Sequence, residues 1–217
     1  MVVAAVIFDL DGVIADTEHV WDEVRAELVA DWGGTYSPSA QQAMMGMSSV
    51  EWSRFMHDEL RLAQSAEEIN AEVVRRMLER YRTDLPLVDG AVDVVRELSA
   101  SLPLAVASSS NRPLIDAVLE SARITACFSA TVSSEEVARG KPSPDVYLEA
   151  ARRLGIHPNQ CAAVEDSTNG IRAAVSAGMF VVAYPNRHYP PGAESLSVAN
   201  AVVDSLAEIV EALERSP

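Results

Sequence analysis

Apolar positions along the chain follow two rhythms. Residues 3–8 form an unbroken apolar run rich in Val and Ile, the pattern of a strand buried on both faces. Three more such runs follow much later, at 104–107, 161–164 and 180–184. Between them the apolar residues recur at helical spacing, and the segments have readable ends. Asp89-Gly90 precedes a helix predicted over 91–100. Asn111 and Pro113 open another that reaches Ser121, with Asn as N-cap and Pro in the first turn. Ser143-Pro144 opens a third over 145–154, which Gly155 closes. Ser167 opens a fourth, ended by Gly178. Strand and helix alternating at this spacing predict an α/β fold: a parallel sheet with helices on both faces.

Residues 16–85 break that rhythm. They hold no convincing strand and several helix signals. Positions 17–32 are amphipathic and end at Gly33-Gly34, and Ser37-Pro38 starts a short helix that ends near Gly46. Ser48 with Glu51, and Ser65 with Glu68, fit the capping box, in which side chain and backbone satisfy each other's free donors. The expected organisation is an α/β core from residues 1–15 and 86–217, interrupted by an all-helical domain at 16–85. The hinges fall at 12–16 and 85–89, the second marked by Pro86.

A chain of 217 residues can bury one sizeable core with a smaller attachment. Its 32 acidic residues against 17 basic ones give a net charge of −15, which repels polyphosphate backbones and anionic lipid. Neither nucleic acid nor a membrane is an expected partner, and an anionic substrate needs a local cluster of cations, amides or metal. Cys127 and Cys161 have no metal-ligand spacing and read as free thiols in a reducing compartment. The apolar start lacks a basic flank and is too short to span a bilayer, so a soluble, cytoplasmic protein is expected. Oligomeric state is not readable.

In open parallel sheets ligands bind beyond the carboxyl ends of the strands. The first apolar run is followed by Asp9 and Asp11, the second by Ser108, Ser109 and Ser110, the third by Glu165 and Asp166. Four carboxylates meeting at one sheet edge repel each other unless a cation or proton sits among them. An all-oxygen set suits Mg²⁺, which usually bridges to phosphate. Asp9 and Asp11, two residues apart, face the same side. One can attack phosphorus while the other passes protons. Gly12 permits a sharp exit from the sheet. Lys141, within Gly140-Lys141-Pro142, adds a cation for the phosphate.

Asp9-Leu10-Asp11-Gly12-Val13, Ser108, Lys141 and Glu165-Asp166 resemble the haloacid-dehalogenase-like hydrolase superfamily over nearly the whole chain. The likeness is greatest to its branch of beta-phosphoglucomutases and sugar-phosphate phosphatases, and the insertion resembles that family's alpha-helical cap. The resemblance implies a Rossmann-like core and Asp9 as a nucleophile that also binds Mg²⁺. Asp11 becomes the acid/base, with its backbone carbonyl on the metal. Ser108 and Lys141 hold the phosphoryl group, Asp166 ligates Mg²⁺ directly, and Glu165 does so directly or through water. Dehalogenases of the family need no metal and lack the second aspartate, so Asp11 and the Glu165-Asp166 pair argue against that chemistry. The implied substrate is a small phosphorylated metabolite, a sugar phosphate by analogy. Its further contacts are expected from Ser109, Asn111, Glu18, Trp21, Gly46 and Met47. His19, His57, His157 and His188 read as surface residues.

Mutases of the branch carry a histidine where this chain has Trp21. Aligned on Gly46, they carry an arginine where it has Ser49. Neither replacement supplies a cation for a second phosphate, which favours hydrolysis. A phosphomutase remains the alternative, with Arg54 or Arg25 standing in as the cation. An aspartate-phosphorylated signalling domain is the non-enzymatic alternative. Such domains lack both the 70-residue cap and the Asp-x-Asp ending.

Overall fold

The computed structural model describes residues 3–215. Met1, Val2, Ser216 and Pro217, assigned above to the core, lie outside the described residues. Strand β1 (Ala5–Phe8) is buried along its length. Five helices follow before the sheet resumes, the first four being α1 (Glu18–Asp31), α2 (Pro38–Met44), α3 (Ser49–Asp58) and α4 (Ala66–Thr83). The core continues with α5 (Ala91–Ser99), β2 (Leu104–Ser108), α6 (Arg112–Ser121), β3 (Phe128–Ser133), α7 (Asp145–Leu154), β4 (Cys161–Glu165), α8 (Thr168–Ser176) and β5 (Phe180–Ala183). It closes with α9 (Ala193–Ser197), β6 (Ala201–Val202) and α10 (Glu208–Glu214).

The six strands form one sheet in the order β3-β2-β1-β4-β5-β6, every described pair parallel. The chain winds outward from β1 in one direction through β2 and β3, then in the other through β4, β5 and β6. A ligand crevice opens where the winding reverses, at the carboxyl ends of β1 and β4. Alternate residues of β1 serve the two faces. Val6 and Phe8 join the apolar cluster containing α5, α6 and α10, while Ala5 and Ile7 pack with α7 and α8. Two strands exceed the sequence expectation. β3 is an edge strand whose Ser129, Ala130 and Thr131 are not buried, and β6 has two residues, so neither makes an apolar run.

The helix ends follow the chemistry of their caps. Ser48 with Glu51 and Ser65 with Glu68 form reciprocal capping boxes, and Gly155 closes α7 in the left-handed conformation. Asn111 takes the N-cap position of α6 without capping it; its amide is used elsewhere. At the first hinge Gly12 has φ +80°, and a Cβ there would fall 1.8 Å from Asp166 Oδ2. Only glycine fits both demands. The hinge segments run side by side, with Asp16 N donating to Pro86 O at 2.9 Å and Val88 N to Ile14 O at 3.0 Å.

The helical insert lies down on the sheet edge. Its Val24, Leu28, Met56, Ile69 and Met77 extend the apolar cluster of the core's α5–α6 face. Polar bonds complete the closure: Asn111 Nδ2 donates to Asn70 Oδ1 at 3.1 Å, Ser49 Oγ to Glu135 Oε1 at 3.3 Å, and Gln41 to the Tyr189 hydroxyl. None of the described helices is long and apolar enough to cross a membrane. Both cysteines are free, Cys161 buried and Cys127 half-buried.

Candidate active site

β1 ends at Phe8, and Asp9 is fixed just beyond it by its backbone N–H, which donates to Val164 O on β4 at 3.0 Å. Glu165 ends β4, and Asp166 opens the turn into α8. Each of these three carboxylates offers an oxygen within 4.8 Å of the others'. Lys141, from the loop before α7, reaches in with Nζ 2.8 Å from Asp9 Oδ1 and 2.5 Å from Glu165 Oε1. Its side chain is 3% exposed, so this pairing works in a largely dry site where Coulomb forces are strong.

Glu165 is saturated by protein donors. Oε1 takes Lys141 and, at 2.7 Å, the Tyr147 hydroxyl. Oε2 takes Asp166 N at 3.1 Å, Ser167 N at 3.2 Å and Ser167 Oγ at 3.1 Å. α8 approaches so closely that a Cβ on Gly170 would fall 1.7 Å from Oε1. Asp166 Oδ2 accepts from Asn186 Nδ2 at 2.9 Å.

Burial and the charge on Glu165 push the Asp9 carboxyl up to about 8, against the pull of Lys141. Burial, then Glu165 and Asp9, raise Asp166 well above the usual carboxylate range. Burial alone would lower Lys141, but its two carboxylate partners outweigh that and raise it. Asp9 and Asp166, both raised by burial and by neighbouring carboxylate charge, fit a divalent cation, which relieves that repulsion, and the all-oxygen donor set suits Mg²⁺.

Asp11 is set apart from this cluster and pinned by three donors. Oδ1 accepts from Thr17 Oγ1 at 2.5 Å and Trp21 Nε1 at 3.1 Å; Oδ2 accepts from Ser110 Oγ at 2.6 Å. Two of these donors come from the approach to α1 or from α1 itself, one from the loop after β2.

Between sheet edge and insert lies a cavity of about 590 Å³. Asp9, Asp11, Lys141 and Asp166 line it from the core; Glu18, Trp21, Gly46 and Met47 line it from the insert. Ser109 also lines it, and its buried Oγ has no partner among the described residues, free to donate to an incoming oxygen. Three of the residues expected at the site lie outside the lining. Ser108 accepts from Ser110 N at 2.9 Å, Asn111 bonds Asn70 and Glu135, and Glu165 is fully buried against Lys141 and Tyr147. His188 is exposed yet reaches the cavity rim; His19, His57 and His157 are exposed away from it. Sequence reasoning did not single out Thr17, Ser110 and Asn186 for these contacts. Asn186 lies three residues beyond the end of β5, within reach of the same strand-end rule. Ser110 also follows its strand, β2, although the rule does not show its bond to Asp11, and Thr17 carries no such signal.

The family model for haloacid dehalogenase-like hydrolases matches residues 3–178. A probable pseudouridine-5'-phosphatase of Drosophila melanogaster is 34% identical over 211 residues, covering 93% of this chain and 89% of that protein. The fructose-1-phosphate phosphatase YqaB of Escherichia coli (strain K12) is 34% identical over 192 residues, covering 82% and 95%. The crystal structure of CbbY from Rhodobacter sphaeroides, in complex with phosphate, superposes with TM-score 0.82 at 26% identity over 98% of this chain and 99% of that one. With its carboxylates gathered where the sheet reverses and its family model matched over most of its length, the chain belongs to the haloacid dehalogenase-like hydrolases.

Proposed function

We propose that this protein is a Mg²⁺-dependent phosphatase of a small phosphorylated metabolite, a sugar phosphate in class, acting through a phosphorylated Asp9. The observation that carries the reading is Lys141, which bridges Asp9 and Glu165 on the floor of a cavity closed by the insert. The named phosphatases at 34% identity support it.

Asp9 attacks phosphorus through a carboxylate oxygen, and the bond from phosphorus to the ester oxygen breaks. Asp11 gives its proton to the departing alkoxide. Water then attacks the phosphorus of phospho-Asp9 while Asp11 takes its proton back, releasing inorganic phosphate. Lys141 and Ser109 stabilise the phosphoryl oxygens, with Ser108 behind them shaping the loop. Asp9 and Asp166 would hold Mg²⁺, helped by the Asp11 carbonyl, while Glu165 orients Lys141 and the turn. When bound, Mg²⁺ supplies charge neutralisation at the phosphoryl oxygens. The helical insert, 16–85, acts as the cap that excludes water and reads the substrate.

Hydrolysis is preferred over phosphomutation because Ser49 turns to Glu135 and does not line the cavity. A screen of sugar phosphates with Mg²⁺, reading released phosphate, tests the function. Release from none of them, under conditions where the protein is folded, contradicts it.

A further inference from the structure

Among the described residues, one cation faces the cavity from the insert, and it has no hydrogen-bond or ion-pair partner. Arg25, on α1, is 6% exposed and lines the cavity. Its guanidinium carbon lies 4.7 Å from the Trp21 ring centroid and 5.1 Å from that of Trp52. The two indoles meet at 62° with centroids 5.9 Å apart, forming a corner that holds the group. Among the described residues no hydrogen bond or ion pair reaches it, and its Nε is buried without a partner. Glu18, which shares the cavity wall, does not come within ion-pair distance.

Stacking engages the π-faces and leaves the in-plane N–H donors unused. Those donors form a fork that matches two oxygens of a carboxylate or a phosphate. A guanidinium does not escape burial by losing its proton, so a buried and unpaired one calls for an anion. The scissile phosphate is already provided for at Asp9 and Lys141. Trp21 links the two regions: its N–H holds Asp11, and its ring holds Arg25. The Trp21 indole therefore stands between Asp11 and the cation.

We propose that Arg25 binds a second anionic group at the end of the substrate remote from the scissile phosphate, so that the preferred substrates are phosphate esters also bearing a carboxylate or second phosphate. The inference rests on the phosphatase reading and narrows it. The cation comes from α1, not from the position of Ser49, whose hydroxyl faces Glu135.

Matched six-carbon esters test it with the Mg²⁺-loaded enzyme. 6-Phosphogluconate and glucitol 6-phosphate differ at the far end, carboxylate against hydroxymethyl, and glucitol 1,6-bisphosphate offers a phosphate there. The acid or the bisphosphate should exceed the polyol ester in kcat/KM by about 10- to 100-fold, the range for a charge-assisted bond. Whichever leads identifies the anion. Arg25→Met should collapse the preference to within about threefold, mainly through KM, and Arg25→Lys should restore part of it. A purely structural role would lower all three esters alike and overturns the proposal. So does a wild-type enzyme that turns over p-nitrophenyl phosphate yet shows no preference for the anionic members, a result that leaves the phosphatase reading intact. Failure to release phosphate even from p-nitrophenyl phosphate overturns both.

Discussion

Trp21 donates its indole N–H to Oδ1 of Asp11 at 3.1 Å, joining the helical insert to the residue assigned to move the proton. The bond ties the orientation of Asp11 to the position of α1. Thr17 and Ser110 complete the grip from the start of α1 and from the loop after β2.

Trp21→Phe removes that donor and keeps a ring against Arg25. Hydrogen bonds to charged groups contribute roughly 1.5–3 kcal/mol, and two donors to Asp11 remain, so kcat should fall about tenfold. Steady-state kinetics with an alkyl phosphate ester checks it. An unchanged kcat would mean that Trp21 does not position Asp11.

Metal removal tests the carboxylate cluster. Phosphate release should vanish in EDTA and return with Mg²⁺. Ca²⁺ should restore it poorly, because its larger and looser coordination misplaces the nucleophile. Full turnover by thoroughly stripped protein would remove the metal from the account.

How much of this was legible beforehand differs by residue. Asp9, Glu165 and Asp166 directly follow or end apolar strands, so their convergence could be read from four short runs and the rule that ligands bind at carboxyl ends. Lys141 is less legible, because its Gly-Lys-Pro motif points to the sheet edge only in company with the acids and no local pattern shows that its loop reaches back there. Asn111 illustrates a limit. Its place at a helix start was readable, but its amide serves Asn70 and Glu135, contacts 41 and 24 residues away that no local pattern encodes. β3 and β6 escaped for another reason: edge strands are wetted, and their residues do not form apolar runs.

Glu18 makes stability depend on pH. Burial, then the charge on Asp11, lift its carboxyl to about 7 in the folded protein against an ordinary 4.5. The folded state thus holds this proton more tightly than the unfolded chain. Its destabilising effect is absent below about pH 4.5, grows as the pH rises towards 7, and is complete above that. Glu18→Gln should raise stability by about 1–2 kcal/mol at pH 8 and leave it nearly unchanged at pH 4. Thermal unfolding at the two pH values measures the difference. An equal effect at both would refute the linkage.

A cation under the insert admits a bisphosphate, so phosphatase and mutase need separating directly. Glucose 1-phosphate primed with glucose 1,6-bisphosphate should yield glucose and inorganic phosphate. Phosphorus NMR of the time course should show no glucose 6-phosphate formed from the 1-phosphate by interconversion. Interconversion faster than phosphate release would make Arg25 the distal-phosphate anchor of a mutase.

The central claim is that Asp9 becomes covalently phosphorylated, and chemical trapping tests it most directly. Enzyme quenched during turnover and reduced with borohydride converts an aspartyl-phosphate to homoserine, which peptide mass spectrometry locates. Asp11→Asn, which slows the proton transfers by about 10²–10⁴-fold, should be tested beside the wild type. The account predicts homoserine at position 9 in turning-over wild-type enzyme, and none in Asp9→Asn, which should be folded and inactive. Unmodified Asp9 throughout turnover, together with an active Asp9→Asn, would contradict it.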